Sequence, residues 1–130
     1  MQLTRSQALD IIKDFQTELE QKPWFKSIKP YLKASLLYGS VAKGTNKPDS
    51  DIDMLLIVPL EVEQKYTAGE YSYDFKGTEI NIVLRSIERL RSLAAGKPDA
   101  IQQEVFRDSV LIYEKNDEVR ELLRKIAVRA

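Results

Sequence analysis

The chain contains no histidine and no cysteine. Without histidine there is no Ser-His-Asp triad, no histidine general base and none of the usual histidine-containing zinc sites. The lack of cysteine removes thiol chemistry and disulfides, so carboxylates, lysines and hydroxyls are left for any reaction. Charge of one sign is not in excess either. The 20 basic residues balance 20 acidic ones, and with no long basic run the chain lacks the electrostatic footprint of a duplex nucleic-acid binder. Long apolar runs are also missing: the longest, Met54 to Leu60, is far too short to span a bilayer and is interrupted by Pro59. The stretch MQLTRSQALD scatters polar residues where a secretory signal would be basic and then apolar, so a cytoplasmic location with no membrane contact is expected.

What is present is enough for a core. With 130 residues of which 43% are hydrophobic, residues 1–130 are expected to form one domain that needs no covalent staples. No repeats or internal linkers interrupt it.

Thr4 and Gln7 form a capping box, and Ala8, Leu9, Ile11, Ile12, Phe15 and Leu19 recur at helical spacing, which predicts a first helix ending before Pro23. The segment PWFKSIKPYLK is expected to be irregular or briefly helical, with Trp24 and Phe25 closing the core rather than marking a binding surface. A strand over Lys33 to Tyr38, a loop over Gly44 to Ser50 and a second strand over Asp51 to Val58 follow. Beyond its aspartates the second strand is apolar at every position, as a central strand covered on both faces would be. Leu60 to Thr67 reads as a helical turn. Glu70 to Phe75 and Thr78 to Leu84 read as an antiparallel hairpin reversed at Lys76-Gly77, with Tyr71, Tyr73 and Phe75 on one face. Ser86 caps a helix that Gly96 ends, Pro98 is expected to start another reaching Arg107, and Val110 to Tyr113 is a short strand. Asn116 caps a closing helix, acidic at its start and basic at Arg124, Lys125 and Arg129, with a core stripe of Val119, Leu122, Leu123 and Ile126.

The chemistry concentrates in YGSVAKGTNKPDSDIDMLLIV, Tyr38 to Val58. In an extended strand Asp51 and Asp53 point the same way, with Cα atoms about 6.5 to 7 Å apart. Two carboxylates that close repel each other unless a cation lies between them, and hard divalent cations prefer oxygen ligands. Upstream, Gly39 permits close approach of a ligand to the backbone, and the N–H groups and hydroxyl around Ser40 favour an anion, with Lys43 and Lys47 nearby. A phosphate cradle followed by a metal site implies a nucleoside triphosphate bridged to the carboxylates by magnesium.

This combination resembles the DNA polymerase beta-like nucleotidyltransferase superfamily, marked by a Gly-Ser turn and, about ten residues on, Asp-x-Asp; Gly39, Ser40, Asp51 and Asp53 fill the four positions. The wording GSVAKG and SDIDML is most similar to the minimal nucleotidyltransferases. The resemblance implies an α/β (α+β) fold, a mixed central sheet of about four to five strands flanked by helices. It also implies a third acidic residue on a strand beside Asp-x-Asp, within GTEINIVLR. Two residues compete there. Asn81, in Ile-Asn-Ile, stands where the family wording places the acid, but it is a neutral ligand; Glu79, on the same face, has the acid's chemistry. Glu79 is the preferred third carboxylate, which makes Asp51, Asp53 and Glu79 the expected catalytic and metal-binding set and Gly39, Ser40 and Lys43 the nucleotide-binding set.

The implied activity is magnesium-dependent transfer of a nucleoside monophosphate, with ATP the expected donor, to a hydroxyl of a small molecule or of a protein tyrosine or serine, with one metal or two. The resemblance further implies a helical HEPN-type partner protein, as in toxin-antitoxin pairs; a homo-oligomer is the other way to complete the acceptor side. The alternative is a catalytically impaired protein of the same fold that acts on a partner by contact alone.

Overall fold

The computed structural model describes residues 3–47, 50–66 and 71–129. Pro48 and Asp49 of the expected loop, Thr67 at the end of the expected helical turn and Glu70 at the start of the expected hairpin lie outside the described residues, as does the side chain of Arg129.

Helix α1 spans Arg5–Leu19 and opens on the predicted capping box: the Thr4 hydroxyl accepts from the Gln7 N–H at 3.1 Å, and the Gln7 side chain accepts from the Thr4 N–H at 2.9 Å. Pro23 begins α2, Pro23–Ile28, where its missing N–H costs nothing, and a single 3-10 turn over Lys29–Tyr31 leads into β1, Ala34–Tyr38. Helix α3, Gly39–Lys43, follows without a break, and β2 covers Ile52–Val58. Then come α4, Leu60–Tyr66, the hairpin β3, Tyr71–Phe75, and β4, Thr78–Ser86. The remaining elements are α5, Ile87–Ala94, α6, Ala100–Arg107, β5, Val110–Glu114, and α7, Glu118–Arg129.

Three boundaries differ from expectation for identifiable reasons. Helix α6 is capped by the Asp99 carboxylate, which accepts from the Gln102 N–H at 3.1 Å, so it starts after Pro98 rather than at it. The residues from Leu60 form two helical turns rather than one, because Val62 packs into the core and Glu63 is buried behind it. Strand β4 runs two residues past Leu84, since Arg85 and Ser86 still pair with Ile57 and Val58.

The five strands form one mixed sheet in the order β3-β4-β2-β1-β5. β2 lies at its centre, parallel to β4 and antiparallel to β1, and every residue from Met54 to Val58 is buried. Alternation along each strand divides the core in two. Leu37, Met54, Leu56, Ile80 and Ile82 face α1, α2 and α4, where Phe15, Phe25 and Ile28 pack on them; Tyr71, Tyr73 and Phe75 border the same cluster. Trp24 stacks on Tyr71 at 3.9 Å and donates its indole N–H to the Tyr73 hydroxyl at 2.7 Å, the aromatic edge of that core. On the opposite face Ala34, Leu36, Leu55 and Ile57 lie under α5, α6 and α7, contacted by Leu90, Phe106, Val119 and Ile126.

Among the described residues no helix is long and apolar enough to cross a membrane.

Candidate active site

On the sheet face that carries α5 to α7, the side chains of Ser72, Asp74 and Glu79 are exposed. Asp53 shares the side of β2 that carries Leu55 and Ile57, lies two residues before them and is half-buried. Asp51 stands two residues further out. Their neighbours follow from register: Tyr38 pairs with Asp53 on one side, Asn81 pairs with it on the other, and Ser72 pairs with Asn81 in turn. A row Tyr38, Asp53, Asn81, Ser72 therefore crosses four strands at the open end of the sheet. Glu79 and its cross-strand partner Asp74 lie one step outward on the same face and are exposed.

The side chains converge. The Asn81 amide donates to Asp51 Oδ2 at 3.2 Å and to Asp53 Oδ1 at 3.4 Å, while its carbonyl oxygen accepts from the Ser72 hydroxyl at 2.5 Å. Burial pushes the Asp53 carboxyl above its ordinary value; the Asn81 amide pulls against that, and the charge of Asp51 adds to it. The exposed Glu79 carboxyl is also held above its ordinary value, first by a hydrogen bond shared with Asp51 and then by the charges of Asp51, Asp74 and Asp53. Both competing residues thus reach the aspartates, by different routes: Asn81 touches both through its amide, and Glu79 meets Asp51 from the rim.

Gly39 approaches from β1. Its φ is +79°, a left-handed conformation that L side chains rarely adopt, and a Cβ there would lie 2.5 Å from Asp53 Oδ2. Glycine is needed for backbone angle and for space, so the Gly-Ser turn is packed directly on the carboxylate. Ser40 is half-buried in the first turn of α3. The structure takes Lys43 elsewhere: at the far end of α3 its ammonium pairs with Glu104 of α6 at 2.6 Å, and the same contact lowers the Glu104 carboxyl. Lys47 is exposed, and its backbone is bound to Ser50 in the loop.

Among the described residues no lysine or arginine pairs with Asp51 or Asp53. Nor do three histidine, cysteine or acidic side chains converge there as a preassembled metal cage. The donor set is two carboxylates, one amide and a rim carboxylate, beside backbone that a single Cβ would obstruct. Such a set suits magnesium, which keeps several waters and takes further oxygens from phosphate rather than from an all-protein cage.

Sequence reasoning did not single out Ser72. The signal was available: Lys76 and Gly77, with φ of 52° and 81°, make the two-residue reversal, so counting back from it sets Ser72 opposite Asn81. Glu63 was missed as well. It is 2% exposed and accepts from the Ser86 N–H at 2.9 Å and from Arg89 Nε at 2.8 Å, tying α4 to the start of α5.

Comparison with known proteins identifies the family. The sequence profile of the family described as Polymerase beta, Nucleotidyltransferase matches residues 22–118. The chain belongs to that family. The match takes in Gly39, Ser40, Asp51, Asp53, Glu79 and Asn81 together. Among solved structures, the fold is similar to that of a nucleotidyltransferase-like protein from Exiguobacterium sibiricum, 12% identical with a TM-score of 0.50, over 85% of this chain and 38% of that one. A toxin-antitoxin crystal structure with AMP-PNP is 18% identical with a TM-score of 0.44, covering 81% of this chain and 79% of the other. A mutant form of the toxin-antitoxin pair MntA-HpeT is 15% identical with a TM-score of 0.43, covering 81% and 79%. No curated protein matches the chain.

Proposed function

We propose that this nucleotidyltransferase-family protein moves a nucleoside monophosphate, with ATP the expected donor, from a magnesium-bound triphosphate to a hydroxyl of a small molecule or of a partner protein. The observation that carries the reading is the pair Asp51 and Asp53, set against Gly39 with no cationic side chain paired to them among the described residues.

Asp51 and Asp53 would hold the metal, with Asn81 or Glu79 as the further ligand. Bound there, magnesium would offset the charge of the triphosphate and polarise the bond to the α-phosphorus. Gly39 and Ser40 receive the β- and γ-phosphates, and Gly39 leaves the space that lets them approach Asp53. The acceptor oxygen forms its bond to the α-phosphorus in line with the bridging oxygen that breaks away, and pyrophosphate leaves. Glu79, whose proton affinity Asp51 raises, takes the proton of the acceptor hydroxyl. Lys43 can join the phosphates only by leaving Glu104. The rest of the rate comes from position and fixed charge. The acceptor side is completed by a partner protein, a helical HEPN-type chain in our reading, or by a second copy, since Ser72, Asp74 and Glu79 beside the aspartates are exposed.

The test is incubation with magnesium and α-labelled triphosphates, with and without a candidate partner. Label should appear on an acceptor and disappear in Asp51→Asn and Asp53→Asn. Transfer that survives both substitutions refutes the assignment of these residues.

A second reading is favoured by Asn81, whose amide lies where the family wording expects an acid: a catalytically impaired protein of the same fold that acts on a partner by contact. In that case wild type transfers nothing, the partner is still bound, and Asn81→Asp restores transfer.

A further inference from the structure

The Asn81 amide presents its donor end to the two carboxylates and its acceptor end to Ser72. That orientation suits Asp51 and Asp53 as free anions, because two N–H bonds relieve part of their mutual repulsion. It is wrong for a divalent cation, toward which the N–H groups would point their positive ends. Turning the amide over about its terminal bond exchanges Nδ2 and Oδ1 with almost no movement of the chain. The turn would leave Nδ2 in need of an acceptor on its other side. A serine hydroxyl both donates and accepts, and Ser72 stands there in register, 2.5 Å from the amide.

We propose that Ser72 and Asn81 form an amide switch: the Asn81 side chain reverses between a donor orientation that bridges Asp51 and Asp53 and an acceptor orientation that faces a divalent cation held by them, with the Ser72 hydroxyl partnering it in both. Ser72 is then a positioning residue acting through Asn81. The neutral side chain on β4 has a use that a third carboxylate would not supply, since it stabilises the site in the free and the loaded state alike. This inference rests on the assignment of Asp51 and Asp53 as metal ligands, but not on transfer activity.

The test is a double-mutant cycle read as manganese affinity of the full chain, by paramagnetic resonance or calorimetry, without nucleotide. Ser72→Ala loses the bond in both orientations, so affinity reads only the excess in the loaded state, where a cation on Oδ1 makes the amide N–H a stronger donor; binding should weaken about two- to fivefold. Ser72→Thr, which keeps the hydroxyl and suits a strand, should restore it. In an Asn81→Ala background Ser72→Ala should change nothing further. In the wild type the Asn81 side-chain amide resonances should shift on adding magnesium, which is diamagnetic. An equal loss in both backgrounds, no loss in either, or unchanged amide resonances overturns the switch. Absence of manganese binding by the wild type also overturns it. Metal binding with the expected cycle but no label transfer would leave the switch standing and refute only the transferase.

Discussion

Glu63 is buried on α4 and Asp53 half-buried on β2, and the two acids are treated in opposite ways. Glu63 accepts from a backbone N–H and from the Arg89 guanidinium, so its charge is answered inside the fold. Asp53 has a second carboxylate two residues away, a weakly held amide at 3.4 Å and a glycine against its other oxygen. A carboxylate given its own cation is part of the scaffold. One left near another, with no cation of its own among the described residues, is repelled by its neighbour at a cost to stability.

The comparison can be broken most decisively at the aspartates. Asp51→Asn or Asp53→Asn should lower label transfer by about 10²- to 10³-fold or more, as expected when a group that fixes transition-state charge is lost, while circular dichroism stays that of the wild type. Removing magnesium with a chelator should do the same to wild type. At Glu63 the effects should reverse. Glu63→Ala strands the Ser86 N–H and the Arg89 charge, and because Arg89 is 46% exposed at its side chain and can rehydrate, the loss should be about 2 to 3 kcal/mol in denaturant titration, below the range for fully buried pairs. Transfer by the folded fraction should be retained; a normal stability for this variant would remove the contrast.

Gly39→Ala falls between the two. It forces an alanine to a φ of +79° and drives its Cβ onto Asp53, so we expect a loss of about 1 to 3 kcal/mol together with loss of transfer. The smallest effect is the dependence on pH. The Asp53 carboxyl is raised above its ordinary 3.8 in the folded protein. The folded state therefore holds this proton more firmly than the unfolded one. Stability from this group is complete below about pH 3.8 and is lost as pH rises through the raised value. Asp53→Asn should abolish that decline and stabilise the protein at neutral pH by roughly 0.5 kcal/mol, the scale of a partly exposed charge interaction. Added magnesium should raise the melting temperature of wild type and leave that of Asp53→Asn unchanged.

Much of this was legible along the chain. The Thr4 capping box, the Lys76-Gly77 reversal, the wholly apolar Met54 to Val58 and the Ser86 cap each combine a local residue choice with a local geometry, and each is found in place. The helix expected to begin at Pro98 begins later because an Asp99 side chain could reach Gln102, a competition between two good starts that periodicity does not rank. Lys43 follows the Gly-Ser turn, where the sequence places it near the expected phosphates. Its partner, Glu104, is 61 residues away and became visible only once α6 packed beside α3.

What the sequence by itself determined is which groups are available for chemistry: two aspartates on one side of a strand, a glycine and a serine before them, and no histidine or cysteine. Strand alternation and residue type are local properties, and they survive any packing of the rest. Tertiary structure decided which groups meet those aspartates. Asn81 lies opposite Asp53 because β2 and β4 pair in parallel in one register, and Ser72 lies opposite Asn81 because the hairpin reverses at two residues. Slipping either pairing by one residue would turn Ile80 and Ile82 out of the core, so burial of apolar side chains far from the site is what holds the polar row in place.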